Sequence, residues 1–309
     1  MALRRTLALA SFVGVLGLPI FLTPVTHSAQ PDATACTVTI SGAEAPNMLP
    51  AHAVWEATFK RQPESANAIE LPADRRARLN ARAAAALEKV VALRATVSPG
   101  PVNPKQALLD REQVIADTIV DARDDVMREV SEDDFDILSD FAQATARGLR
   151  ITVPAPGRLV TSADGVSTCE VAVLGEEYPF LVPEYQSWAA QFNGWAGVAA
   201  QNRGSDGRIT DEYLTIVRRS SIRASPEDVR TFLEFATKAA AEVAAVRKEL
   251  PGAEAEQVLA HEFRVQRAVM KGRHHVMRAV SVEGWRAIVQ WVEASRVGAK
   301  VWFRSRPAN

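Results

Sequence analysis

Apolar residues in the stretch 105–130 fall at Leu108, Ile115, Ile119, Ala122 and Val126. This 7-4-3-4 spacing keeps them on one face of an α-helix. Val258, Val265, Val269, Gly272 and Val276 trace the same stripe further along the chain. Trp55 and Phe59, and likewise Trp188 and Phe192, stand four residues apart. Each pair therefore shares one helix face and reads as core. Pro50 and Pro183 sit just ahead of these pairs, where the first turn of a helix tolerates proline. Further helices are predicted from Pro72 and from Ser225-Pro226, each running into an alanine-rich segment. Ser131 and Ser281 have the position of N-caps for a last helix, with Asp134 completing a capping box only at the first. Gly148 and Gly298 stand where those helices stop. Short alternating segments predict strands at Val38-Thr39-Ile40, Ile151-Thr152-Val153, Val171-Ala172-Val173 and Val301-Trp302-Phe303, and an edge strand at 158–161.

These patterns occur twice. From Cys36 and from Cys169 the chain aligns without a gap at an offset of 169 − 36 = 133, matching Gly42 with Gly175, Pro50 with Pro183, Trp55 with Trp188 and Phe59 with Phe192. At an offset of 150, Glu112, Arg123, Arg128 and Ser131 meet Glu262, Arg273, Arg278 and Ser281. An internal repeat sets the architecture before any residue is assigned a role. The expectation is a mainly α protein of two tandem homologous helical units, each with three to four helices and short strands at its start and end. The boundaries read as 1–29 signal peptide, 30–150 first unit, 151–168 connector and 169–309 second unit. The second unit carries a longer first loop, near 193–213.

Composition narrows the setting. Thirty-six Lys and Arg against 37 Asp and Glu leave a net charge of −1, so no global field draws in nucleic acid or anionic lipid. Arg4 and Arg5 precede an apolar run from Leu7 to Val25, broken by Pro19 and Pro24 and followed by the polar T-H-S-A-Q. This is the form of a secretory signal cleaved after Ala29, leaving no stable transmembrane segment and placing the protein outside the cytoplasm, periplasmic or secreted. The alternative is a retained anchor, because the run approaches the length that spans a bilayer. In an oxidising compartment Cys36 and Cys169, which occupy the same place in each repeat, are expected to form a disulfide; two buried free thiols are the alternative.

Candidate chemistry is sparse. His261-Glu262 begins a zinc-peptidase H-E-x-x-H pattern, but Val265 stands at the second histidine position. His274-His275 reads as a solvated pair, and His261 and His275 lie about 21 Å apart along a helix, too far to share an ion. The segment 202–213 has Asp206-Gly207 and Ile209 at the centre of a calcium-loop pattern, but Gly204 and Tyr213 replace oxygen ligands, so a polar turn is expected. No metal or cofactor is expected. Asp110, Asp117, Asp121 and Asp124 form an acidic stripe opposite the apolar one, and the matching positions hold Ala260, Arg267, Lys271 and His274. These stripes read either as two solvated faces or as one contact.

The function expected is an exported two-unit helical protein of binding or structural type, its partner a protein or envelope component. One alternative is an enzyme whose site assembles from dispersed groups such as Glu112, Glu262, Arg123 and Arg273. Another is a calcium-binding module at 202–212.

Overall fold

The computed structural model describes residues 36–61, 71–96, 104–155, 157–252 and 254–305. The expected signal segment and its cleavage point lie outside them. The first half (36–155) runs β1 (Thr39–Ser41), α1 (Ala51–Arg61), α2 (Ala73–Ala95), α3 (Pro104–Glu129), α4 (Glu132–Arg147) and β2 (Arg150–Thr152). The second half (157–305) runs β3 (Arg158–Thr161), β4 (Ser167–Leu174), α5 (Glu184–Gln201), α6 (Asp211–Ser220), α7 (Pro226–Lys248), α8 (Ala255–Ala279), α9 (Val282–Ala294) and β5 (Lys300–Ser305). The chain is thus mainly helical with short antiparallel strands. No helix among the described residues is long and apolar enough to cross a membrane.

Local chemistry sets the helix starts. The Ser131 hydroxyl accepts from the Asp134 amide, and the Asp134 carboxylate accepts from the Ser131 amide, closing a capping box on α4. Ser281 caps α9 by accepting from the Gly284 amide at 2.9 Å. Gly284 stands where α4 has Asp134, and a Cβ on it would lie 2.4 Å from Asp228. Asp228, on α7, fills that role instead and accepts from the Ser281 amide at 2.7 Å.

The second half has five helices among the described residues, one more than the sequence reading allowed. Most of the expected long loop is helix. α5 continues to Gln201, and α6 forms because Thr210 caps it and Tyr213, Leu214 and Val217 are apolar enough to be buried. Between them, Gly207 at φ +76° and an Arg203–Ile209 bridge make a tight turn. The Asp206 carboxylate accepts the Arg208 amide within it. Leu108 and Val258, placed on the apolar stripes, are respectively 48 % and 42 % exposed, because both lie in the early turns of helices whose later turns carry the buried residues.

The strands recur in register. β1 pairs β2 with Thr39 opposite Thr152, Ile40 opposite Ile151 and Ser41 opposite Arg150. β4 pairs β5 with Ala172 opposite Trp302, Val173 opposite Val301 and Leu174 opposite Lys300. Adding 133 and 150 to the first set gives the second. Gly42 and Gly175 make the same close approach: a Cβ on either would lie 1.7 Å from a carbonyl oxygen, that of Ala146 or of Arg296. Only glycine fits there.

Cys36 and Cys169 form a disulfide with their Cα atoms 5.9 Å apart. Cys36 bridges Gly157, whose lack of a side chain makes room: a Cβ there would be 2.6 Å from the Cys169 sulfur. The strand Arg158–Thr161 then pairs β4, so β3 lies inside the expected connector, with β2 reaching into its start and β4 into its end. Both halves contribute to both cores, one made mainly by helices around Phe59, Ile119, Phe192 and Val269, the other by strands and turns around Ile40, Val171 and Phe303.

Candidate functional site

α3 and α8 place Arg123 and Arg273 in the protein interior, 2 % and 3 % exposed. The Arg123 guanidinium donates to both oxygens of Glu184, at 2.5 and 2.9 Å, and through Nε to Asp124 at 2.8 Å. Arg273 donates from Nη2 to Asp124 at 2.5 Å, and its Nε lies 3.0 Å from Glu184. Two cations and two carboxylates therefore close a buried ring without net charge. Burial pushes the Glu184 carboxyl up, but Arg123 and Arg273 outweigh it and hold the group well below the usual carboxylate range. Burial likewise lowers Arg123, and Asp124 and Glu184 more than reverse it. Glu184 opens α5, where the helix dipole also favours a carboxylate. A ring of this kind is costly to break, because the survivor of any lost pair stays charged and dry.

On its second-half side the ring is closed by aromatics. Trp188 and Trp285 stack with centroids 5.5 Å apart and planes 9° from parallel. The Arg273 guanidinium lies over both, 4.7 Å from Trp285 and 5.4 Å from Trp188. On the first-half side the corresponding rings, Trp55 and Phe135, line a cavity of about 130 Å³. Its walls come from the turn Pro46–Met48, α1, α3, α4, the start of α5, and α8. Met127, Met270, Met277 and Phe263 extend the apolar surface, and Arg123, Glu184 and Arg273 reach it from the ring.

His274 also lines this cavity and is 1 % exposed. Its ring stacks on Phe135 at 4.5 Å, and neither ring nitrogen has a hydrogen-bond partner. Burial lowers its pKa to about 4, with Arg278, His275 and Arg273 acting in the same direction and Glu132 opposing. The imidazole is therefore neutral near pH 7. This overturns the reading of His274-His275 as a solvated pair. α8 is covered on two sides, by the helical core and by α4, so a residue opposite the apolar stripe is not thereby in water. Asp124, at the end of the acidic stripe, is buried for the same reason, whereas Asp110, Asp117 and Asp121 are exposed. The basic stripe meets the first half on α4: Lys271 pairs Glu132 at 2.5 Å, and Arg267 pairs Asp136 and Asp140. The stripe on α3 reaches the second half through Asp124 and Arg273.

The other singled-out residues are dispersed. Trp55, Phe59, Trp188 and Phe192 are buried in the helical core. Glu112 is half-buried beside Arg111, eleven residues and about 16 Å along α3 from Arg123. Glu262 is half-buried and Arg278 exposed. Arg128 donates to the Val280 carbonyl at 3.2 Å, from α3 to the end of α8. His261 is buried, with Nδ1 3.3 Å from Arg264. Among the described residues no group of three His, Cys, Asp or Glu side chains could hold a metal ion. Glu184 went unremarked in the sequence because its counterpart at offset 133 is Ala51. No protein-family model, curated protein or solved structure matches this chain.

Proposed function

We propose that this chain is an exported binding protein, a duplicated helical unit whose first half, together with α8, takes a small ligand. The copies are 30–150 and 169–309, joined at 151–168. One observation carries the binding reading: a cavity of about 130 Å³ is walled by aromatic and methionine side chains and is reached by the polar groups of the ring. Concave, mostly apolar pockets with a few convergent polar groups are the usual form of a small-molecule site. The matched strand registers and the paired glycines Gly42 and Gly175 support duplication. The disulfide supports an oxidising location, and the leader sequence supports cleavage near Ala29.

The binding reading is tested with methyl-labelled methionine. Toluene should shift the Met127, Met270 and Met277 signals of the native chain and leave those of Ser139→Phe, which fills the cavity from its α4 wall, unchanged. Shifts of equal size in both, or in neither, refute it. Export is checked separately by mass spectrometry of the secreted chain, which should begin near Gln30.

A further inference from the structure

Resting on the binding reading above, the geometry points to an unbranched alkyl chain as the part of the ligand that the cavity takes. Its shape follows from how α4 and α8 face each other. Phe135 stacks on His274 with centroids 4.5 Å apart, Asp140 pairs Arg267, and the Arg147 guanidinium lies 5.7 Å from the Phe263 ring. Residue numbers rise along α4 as they fall along α8, so the two helices run antiparallel. The large side chains of the first and last pairs hold the helices apart at both ends. Between them α4 offers the cavity Ser139, Ala142 and Ala146, which are too small to fill that separation. A gap the width of a single side chain remains, walled by Met270 on α8 and floored by Trp55 and Met127.

Length against volume decides between a compact ligand and a chain. The lining runs from Phe135 to Ala146 on α4 and from Phe263 to Met277 on α8, about 16 and 21 Å of helix. The volume is only about 130 Å³, and a sphere of that size would be far shorter. An apolar cavity of about 150 Å³ holds benzene, so a similar number of carbon atoms fits here, drawn out in a line. The methionines are unbranched and adaptable, and they can follow the bends of such a chain. The charged groups on the wall are already matched, Arg123 and Arg273 by Asp124 and Glu184, and Arg267 by Asp136 and Asp140. A charge carried inside would be desolvated without a free partner, so the enclosed part is hydrocarbon. The cavity reaches solvent beside Asp140 and Arg267, which are exposed, so a polar head can stay in water.

The test is calorimetric titration of the full chain with n-butanol, n-hexanol, cyclohexanol and toluene at pH 7. n-Hexanol should bind about tenfold more tightly than n-butanol, the gain from its further buried methylenes. It should also bind about tenfold more tightly than cyclohexanol, which has as many carbons but forces a thicker ring between the helices. Ala142→Leu puts a branched side chain near the middle of the gap and should lower the n-hexanol affinity to that of n-butanol. The comparisons among alcohols use the native chain and decide the matter if the leucine variant does not fold. n-Hexanol binding no better than n-butanol or cyclohexanol, or as tightly to Ala142→Leu as to the native chain, overturns the inference. Toluene binding in that case leaves the binding reading standing. Failure of all these probes to bind the native chain overturns both.

Discussion

Trp55 and Phe135 face a cavity of about 130 Å³, whereas Trp188 and Trp285, at the matching places of the second half, stack 5.5 Å apart with an arginine laid over them. The same contrast recurs nearby. In α1, Glu56 is buried and gripped by Arg94 at 2.5 and 2.7 Å and by Lys60 at 2.6 Å. Its counterpart in α5 is Ala189, an ordinary core residue. The two halves are thus packed differently at positions that match in sequence. At these places the second half packs apolar groups together, whereas the first half holds a buried ion pair and borders the cavity. The cavity is thus a departure from a packing solution that the same molecule uses elsewhere.

The disulfide joins the two halves, and its removal should have the largest effect. Cys36 and Cys169 are separated by 133 positions, so loop-closure entropy gives a loss of about 4–5 kcal/mol for the double substitution to alanine, read from urea unfolding. Next comes Glu184→Ala, which gives α5 the alanine that α1 has at its own start. It leaves two buried guanidinium groups to share the single carboxylate of Asp124 and should cost about 3–5 kcal/mol. A loss under about 1 kcal/mol would mean that the ring is not what couples the halves.

The third effect depends on pH. His274 has a folded pKa near 4 against an ordinary value of 6.5, so unfolding takes up a proton between those values. Its contribution is full above about pH 6.5 and is lost as pH falls through 4. Relative to His274→Phe, the native chain should lose about 3 kcal/mol over that window. Glu293 works against this in the native chain. Burial raises its pKa to about 7, with Asp117 and Glu184 reinforcing and Arg296 opposing, so its contribution declines as pH rises from about 4.5 to 7. The difference between native and variant cancels that background.

Exchanging the aromatic residues between halves should have the smallest effect. Trp285→Phe leaves a gap beside Trp188 and should cost about 2 kcal/mol. Phe135→Trp fills the existing space, so stability should stay within about 1 kcal/mol of native while toluene is excluded. If Phe135→Trp costs as much as Trp285→Phe, the two sites are equally full and the contrast between them fails.

Much of this frame was legible in the chain. The helical stripes, the Ser131 capping box, the strand segments and the cysteine pair depend on near neighbours or on repetition, and both can be read directly. The interior of the site was not. Asp228 replaces Asp134 from another helix, so no local spacing announces it. Glu184 bonds Arg123 across 61 positions and has no counterpart in the first half. His274 was placed in solvent by its angle from the apolar stripe. That argument assumes a helix with one covered face, and α8 has two.

The Cys36–Cys169 bond also makes residues 36–169 a closed covalent circle holding α1 to α4. One break in the main chain inside that circle opens it without parting the molecule, since the two ends remain linked through sulfur. A break beyond Cys169 releases a piece held only by contacts such as β5 on β4. Resistance to nicking is therefore unevenly distributed, and it is greater on the side that holds most of the cavity wall.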